Sequence, residues 1–525
     1  MNPLVEDIEG AADSVLGRFQ RPGMPGMSVG ILQGDTVLLR KGYGLADIGN
    51  HRPNAPEVPM RIASLSKQFT VALAMMLEAE GQLSIDDPVR RYIPALPDYG
   101  VPVTLRDLMS NQSGVRDFLE LRLLSGGNFS DPASDEESQA LICSTAELNF
   151  EPGTRFAYSN TGFKLLTQVV EALEQDRLEN ILRRRILKPL GMAQTSLARS
   201  DTPWLAERAV PYVVTDGIPV QGRWSIPLEG AGGMISTVDD LLKWARYVAD
   251  PASPHAGLFA KMTQARPYRD NTPSLYGLGF TVMPYRGLNS FGHHGQLPGV
   301  FAEIAWFPDI DTTLVLLANT TEINPFLLGR QLADALFPEA LAPRLPAPDP
   351  LPGYYYSREE SRVLGVNASA ELESTMTRTP LERHRPDGFR PYWPMLHLQL
   401  APAGDALAGT DGPQPVEFVR LPAFHPADLH PYTGTFYQPA LKSVWRISLE
   451  NQQLLLTLSG PLGSSRFHLT PLTEEVLIAA PAINPDGDYR PTVRLFMENG
   501  RRRLLLTTDR TSRLFADEMP VTSHR

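Results

Sequence analysis

The chain has 525 residues, 42% hydrophobic and 20% charged, the balance of a soluble globular protein too long for one core and therefore built from two or three domains. A formal net charge of -11 argues against a surface that grips phosphate backbones, so no nucleic-acid partner is expected. The single cysteine, Cys143, excludes an internal disulfide and a thiolate-rich zinc site.

In chain order, residues 3–20 form an amphipathic helix candidate. The acidic start, MNPLVEDIEGAADSV, lacks the basic region of a secretion signal. No apolar run approaches the ~20 residues of a membrane span; TLVLLA at 313–318 is strand-sized. A cytoplasmic protein with no membrane partner is expected, or a periplasmic one if a leader has been removed. MSVGIL and TVLLRKG flank QGD and predict two strands joined by a short turn. Ser28, centred in the G-x-S-x-G of residues 26–30, thus starts a strand that runs into a hairpin. A nucleophile elbow needs a sharp strand-to-helix turn, so Ser28 is set aside.

Ser64 has other surroundings. SLSKQFTVALAMMLEAEG holds good helix formers, an apolar stripe through Phe69, Leu73, Met76 and Leu77, and a closing Gly81. Ser64 falls at the helix start, Lys67 lies one turn along on the same face, and the free N–H groups of that turn suit developing negative charge. SNTGFKLLTQVVEALEQ and STVDDLLKWARYV read as helices, YGLGFTVM, FAEIAWFP and TTLVLLAN as strands, and LGRQLADALF as a last helix. Strands at both ends with helices between predict one sheet assembled from the N- and C-terminal parts of this segment.

APRLPAPDPLPG, with prolines at 343, 346, 348, 350 and 352, reads as a stiff linker. Beyond it come short alternating strands, as in VWRISLENQQLLLTLSG and VRLFMENGRRRLLLTT. They predict two antiparallel β modules, because Gly353-Tyr354-Tyr355-Tyr356 is echoed by Gly434-Thr435-Phe436-Tyr437. The expected domains are residues 1–340, 341–425 and 426–525, with the second boundary near FHPADLHP.

A serine hydroxyl needs a base, and a lysine serves only as the neutral amine; lowering its pKa from about 10.4 to about 7 takes more than ~4 kcal/mol of differential environment. None of the other lysines has a serine three residues before it. Tyr158 and Asn160 form Y-x-N ahead of a helix, and His293 and Gly295 form H-x-G leading toward a strand. Taken singly, each has a structural reading: Ser64 as a helix cap, Lys67 as a solvated charge, Tyr158 as core. His293 and His294, as strand neighbours, point to opposite faces and cannot easily share a metal ion.

Ser64-x-x-Lys67, Tyr158-x-Asn160 and His293-x-Gly295, in this order, resemble the three signature elements of the serine β-lactamase and penicillin-recognising hydrolase superfamily. The resemblance runs from about residue 5 to 340 and extends to DLMSNQSGV, PGTRFAYSN, GAGGMISTVDDLLKW and YGLGF, similar to the class C β-lactamase, esterase and D-aminopeptidase branch. It implies an α/β (α+β) β-lactamase-like transpeptidase fold, here followed by two antiparallel β-barrel domains. It also implies roles without a cofactor or metal. Ser64 attacks a carbonyl, Lys67 and Tyr158 move its proton, Asn160 positions the substrate amide, His293 stands in the third element beside Gly295, and the N–H groups of Ser64 and Gln296 hold the oxyanion.

Relatives that bind a substrate carboxylate commonly carry Lys-Thr-Gly where this chain has His293-His294-Gly295, and a neutral imidazole anchors carboxylate less well. The two β modules add a resemblance to three-domain D-aminopeptidases, in which a loop of the last domain reaches the cavity. The candidate loop is PAINPDGDYRP, 481–491, with Asp486 or Asp488 expected to pair with an α-ammonium. The expected partner is a small-molecule or short-peptide substrate, and a homodimer is left open. The other readings are a broad carboxylesterase or β-lactamase-like hydrolase and, from another class, a non-catalytic penicillin-binding-like sensor.

Overall fold

The computed structural model describes residues 3–198, 207–346, 349, 351–375, 377–393, 395–482 and 489–520. Helix α1 (Pro3–Leu16) leads into the hairpin β1 (Met27–Gln33) and β2 (Thr36–Tyr43). The chain returns to the same sheet some 240 residues later with β3 (Thr281–Val282), β4 (Phe291–Leu297), β5 (Val300–Phe307) and β6 (Thr312–Ala318). The antiparallel order is β3-β4-β5-β6-β1-β2, so the first strand lies beside the last, with Met27 opposite Ala318 and Gln33 opposite Thr312.

β5 and β6 are buried along their whole length, because both faces are covered. The two-residue period sorts their side chains. Leu314 and Leu316 pack with Ala12 and Leu16 of α1 and Leu332 of the last helix, Pro325–Leu336, whereas Val315 and Leu317 join the core on the opposite face. That second core is dominated by the helix Ser66–Ala79, whose residues from Ser66 to Leu77 are all buried. The remaining helices, among them Phe118–Leu124, Asn160–Glu174 and Val238–Ala249, fill the insert between β2 and β3. Among the described residues no helix is long and apolar enough to cross a membrane.

One expectation differs in detail. The YGLGFTVM stretch yields only the two-residue β3, because Gly279, at φ +75°, turns the chain where a Cβ would meet Val71 at 3.0 Å and the Lys67 carbonyl at 3.3 Å. Ser28 lies within β1, fully buried, its hydroxyl donating to the Ala55 carbonyl at 2.9 Å.

Beyond the proline-rich segment stand two closed, eight-stranded antiparallel barrels, over residues 353–420 and 434–518. The two echoed tetrapeptides open the first strand of each, Gly353–Ser357 and Gly434–Gln438. Closure leaves neither barrel an open edge. The second barrel shares its core with the first domain. Its fully buried Trp445 donates its indole N–H to the Leu124 carbonyl at 3.1 Å, and Ser465 donates to the Gly127 carbonyl at 3.0 Å.

The turn after Phe118–Leu124 fits the barrel only because it is glycine. Gly126 has φ +86°, and a Cβ there would stand 2.3 Å from the Gly463 carbonyl oxygen. Gly126→Val is therefore expected to destabilise this junction by about 1–3 kcal/mol. The check is thermal unfolding with limited proteolysis: the variant should lower the melting temperature and expose cleavage sites between the first domain and residues 434–518.

Candidate active site

The helix that begins at Ser66 is preceded by a tight 3-10 turn, Ala63–Leu65, and the serine sits in that turn. Ala63 adopts φ +46°, a strained value for alanine, immediately before Ser64. Two bonds hold the turn: the Ser66 hydroxyl donates to the Ala63 carbonyl at 2.6 Å and accepts from the Met234 amide at 3.1 Å. Ser64 is half-buried, while every other residue from Met60 to Leu77 is buried.

Lys67 is completely buried one turn along. Its Nζ lies 3.1 Å from Ser64 Oγ, 2.9 Å from Asn160 Oδ1 and 2.5 Å from the Ala231 carbonyl oxygen. Three oxygens could also surround an ammonium, but burial, the largest influence, pushes this group well below the ordinary lysine range. The Asp117 carboxylate works against that shift and the Arg510 guanidinium adds to it. Among the described residues no carboxylate lies within ion-pair distance of Lys67. A neutral amine has two N–H donors and one lone pair. Asn160 and Ala231 take the donors, and the lone pair faces the Ser64 hydroxyl.

Tyr158, also buried, donates its O–H to Ser64 Oγ at 2.6 Å. Burial raises its pKa, so the group is a phenol that gives protons rather than a phenolate that takes them. The Arg510 guanidinium, from the second barrel, lies over its ring at 4.9 Å from the centroid.

His293 stands behind this phenol, its ring centroid 6.3 Å from that of Tyr158, and does not touch Ser64. Its Nδ1–H donates to the His294 carbonyl at 2.6 Å, so Nε2 accepts from the Tyr276 hydroxyl at 2.8 Å. Full burial lowers its pKa to about 3 and keeps the ring neutral. His294 projects elsewhere, packing on Trp393 of the first barrel at 4.0 Å, and burial keeps it neutral too. Among the described residues no group of three His, Cys, Asp or Glu could hold a metal ion.

Asn160, the first residue of Asn160–Glu174, is occupied at both ends of its amide. Oδ1 accepts from Lys67, and Nδ2 donates to Asp117 Oδ2 at 3.0 Å. It therefore orients the lysine. Asp117, fully buried, also accepts from the Asn160 backbone N–H and caps Phe118–Leu124 through the amides of Leu119 and Glu120. The Ala231 carbonyl comes from a short turn, Glu229–Ala231, wedged against two helices: a Cβ on Gly230 would lie 2.3 Å from Thr70 Oγ1 and 2.4 Å from Thr167 Oγ1.

β4 closes the other side. A Cβ on Gly295 would lie 2.9 Å from Ser64 N and 2.4 Å from the Ile62 carbonyl oxygen, so only glycine lets the strand approach the serine. The β4–β5 hairpin closes at the Leu297–Val300 pair around two residues. In such a hairpin the closing pair exchanges bonds and the next pair, here Gln296 with Phe301, turns its N–H groups outward. The Gln296 N–H thus faces away from β5, one residue after Gly295, the point where β4 comes closest to the Ser64 amide.

A cleft of 280 Å³ opens beside this constellation, between the first domain and both barrels, lined in part by Phe156, Ala157, Arg362, Asp411, Asp509 and Arg510. Asp486 and Asp488 lie outside the described residues. Asp117, Tyr276 and Arg510 were absent from the sequence-derived set. Asp117 had a signal, an acidic cap ahead of an apolar run; Tyr276 lay in YGLGF, read as strand; Arg510 had none, being 352 residues from Tyr158.

Residues 12–337 match the family described as Beta-lactamase, more than half the chain. A D-aminopeptidase of Brucella anthropi is 30% identical over 279 residues, 52% of each chain, so the match spans about half that relative's length. A D-aminopeptidase of Cereibacter sphaeroides is 28% identical over 371 residues, 70% of each. Two solved structures agree in fold. The octameric penicillin-binding protein homologue of Pyrococcus abyssi covers 98% of this chain and 100% of its own, at TM-score 0.57 and 20% identity. The D-amino acid amidase of Ochrobactrum anthropi SV3, complexed with D-phenylalanine, covers 64% and 99%, at TM-score 0.54 and 24% identity. The chain belongs to the Beta-lactamase family, as a serine-hydrolase relative of the D-aminopeptidases.

Proposed function

We propose that the protein is a D-aminopeptidase that releases N-terminal D-amino acids from small peptides, amides or esters through an acyl-enzyme on Ser64. The single observation that carries the chemistry is the buried, unpaired Lys67 amine 3.1 Å from Ser64 Oγ, with the Tyr158 hydroxyl 2.6 Å away on the same oxygen. The substrate class is supported by the two D-aminopeptidase relatives and by the neutral imidazoles of the third element.

Lys67 takes the Ser64 proton as Oγ forms its bond to the substrate carbonyl carbon, and the Ser64 and Gln296 N–H groups hold the resulting oxyanion. Tyr158 gives its proton to the leaving nitrogen and regains one from the Lys67 ammonium, breaking the C–N bond and leaving an ester on Ser64. Water then repeats the sequence: its proton goes to Lys67, its oxygen to the carbonyl carbon, and Ser64 leaves with a proton. For the substrate's α-ammonium, Asp486 and Asp488 remain our candidates. As self-partner we carry forward a homodimer, which sedimentation distinguishes from an octamer like that of the Pyrococcus abyssi homologue.

Ser64→Ala is expected to lower kcat on a D-alanine p-nitroanilide by on the order of 10^4-fold or more. Tyr158→Phe, which keeps the ring and removes the proton donor, should cost about 10^2–10^4-fold. Rates on D- and L-alanine p-nitroanilides, short-chain p-nitrophenyl esters and a chromogenic cephalosporin decide the substrate. Turnover of the ester or cephalosporin alone overturns the aminopeptidase reading in favour of the esterase or β-lactamase one.

The active form requires deprotonated Lys67, so kcat/KM should fall as pH drops through a Lys67 pKa held below its ordinary range; Tyr158 should add no basic limb below the ordinary tyrosine range near 10, and a limb at about 8 belongs to the substrate's α-ammonium and should vanish on esters that lack an amine. The same group links to stability. In the pH range between the folded and the unfolded lysine pKa, only the unfolded chain carries this proton, so stability rises with pH. Lys67→Met should abolish turnover and flatten that slope in chemical denaturation measured across pH.

A further inference from the structure

The strand pair Arg501–Thr507 and Leu514–Glu518 ends in a tip, residues 508–513, that enters the first domain beside the catalytic groups. Its anchoring is built. Thr508 hydrogen-bonds the fully buried Glu120, the Thr508 amide donates to the Thr511 carbonyl at 2.8 Å, Asn149 Nδ2 donates to the Arg510 carbonyl at 2.7 Å, and the Ser512 amide donates to Asn149 Oδ1 at 3.0 Å. The backbone of Arg510 is thereby fixed from both sides of the domain junction, while its side chain extends over Tyr158.

Several charges around the cleft are paired. Arg155 meets Glu360 at 2.6 Å, and Arg362 meets Asp411 at 2.8 Å and Asp509 at 3.8 Å. Arg513, at the rim, donates to the Glu359 backbone carbonyl. Among the described residues no carboxylate lies within ion-pair distance of the Arg510 guanidinium; it lies over the phenol face, and its charge acts on the buried Glu120 carboxyl from longer range. A cation held over the proton-donating phenol stands beside the leaving group that this phenol serves. The carboxylate of a one-residue leaving group lies only one residue length, at most ~3.6 Å, beyond the scissile nitrogen.

We infer that Arg510 is a specificity residue that receives the free C-terminal carboxylate of a short peptide on the leaving-group side of Ser64. This rests on the aminopeptidase reading and deepens it: short peptides ending in a carboxylate, dipeptides first, are the favoured substrates over amides. The two imidazoles of the third element, neutral and fully engaged or packed, leave this task to a cation from another domain. A guanidinium suits it, because its planar fork matches a carboxylate with two parallel N–H bonds.

The test compares D-alanyl-glycine with D-alanyl-glycinamide, and the full-length wild type with Arg510→Gln and Arg510→Lys. The wild type should prefer the free carboxylate by about 10-fold or more in kcat/KM. Arg510→Gln should lose about 10–100-fold more on D-alanyl-glycine than on D-alanyl-glycinamide, the excess appearing mainly in KM, whereas any effect through Lys67 or Tyr158 falls on both substrates alike. Arg510→Lys should recover part of the loss. Equal rates on both substrates in the wild type, or equal losses on both in Arg510→Gln, overturn the inference and leave the aminopeptidase reading standing. If the wild type cleaves esters but neither peptide, the aminopeptidase reading has failed, and O-acetylglycolate against its glycolamide ester carries the same comparison. Turnover of neither pair overturns both.

Discussion

Everything at this site depends on one ammonium being too costly to keep. Lys67 sits at zero exposure on a helix whose first twelve residues are all buried, and removing it from water favours the amine. The surrounding structure is arranged to use that outcome. Asn160 and Ala231 occupy its two N–H groups, so the remaining lone pair has one direction to face. The wedge at Gly230 and the capping carboxylate of Asp117 fix those two acceptors, and neither touches the nucleophile. The strained Ala63 then turns Ser64 out of the helix toward the amine.

The three sequence elements were legible because each is a short spacing that local geometry converts into proximity. Three residues in a helix put Lys67 over Ser64, and Tyr158 and Asn160 bracket one helix start. The sheet was legible for the same reason: strand-like runs near residues 27 and 313 pair edge to edge, Met27 with Ala318. What escaped is set by long-range packing. Nothing in the short motifs states that His293 accepts a hydrogen bond from Tyr276, or that Asn160 bonds both Lys67 and Asp117. YGLGF looked like a strand because its apolar residues alternate with glycine. Gly279 instead turns the chain against the Lys67 helix, and a Cβ on Gly277 would stand 2.2 Å from the Met262 carbonyl oxygen.

The barrels illustrate the same division. Their alternating pattern and opening tetrapeptides mark two β modules, yet the pattern says nothing of what a closed barrel rests on. The second barrel is packed into the first domain's core, with Trp445 bonded to the end of Phe118–Leu124. That helix starts at Asp117, the residue that holds Asn160. One short helix thus joins the Asn160 amide at its N-terminus to a barrel tryptophan at its C-terminus. The first barrel reaches the same region by another route, with His397 stacked on Phe156 at 3.9 Å, two residues before Tyr158.

The order of synthesis gives the Trp445 contact a further meaning. The ribosome completes residues 1–340 long before residues 434–518 exist, so the surface that will meet Trp445 and its neighbours is displayed to water throughout elongation. A nascent chain in that condition has a greasy flank, and its Tyr158 ring lacks the Arg510 guanidinium that later covers it. The hairpin that carries Arg510 is therefore among the last pieces to arrive, and a chain truncated before residue 501 would leave that apolar flank uncovered.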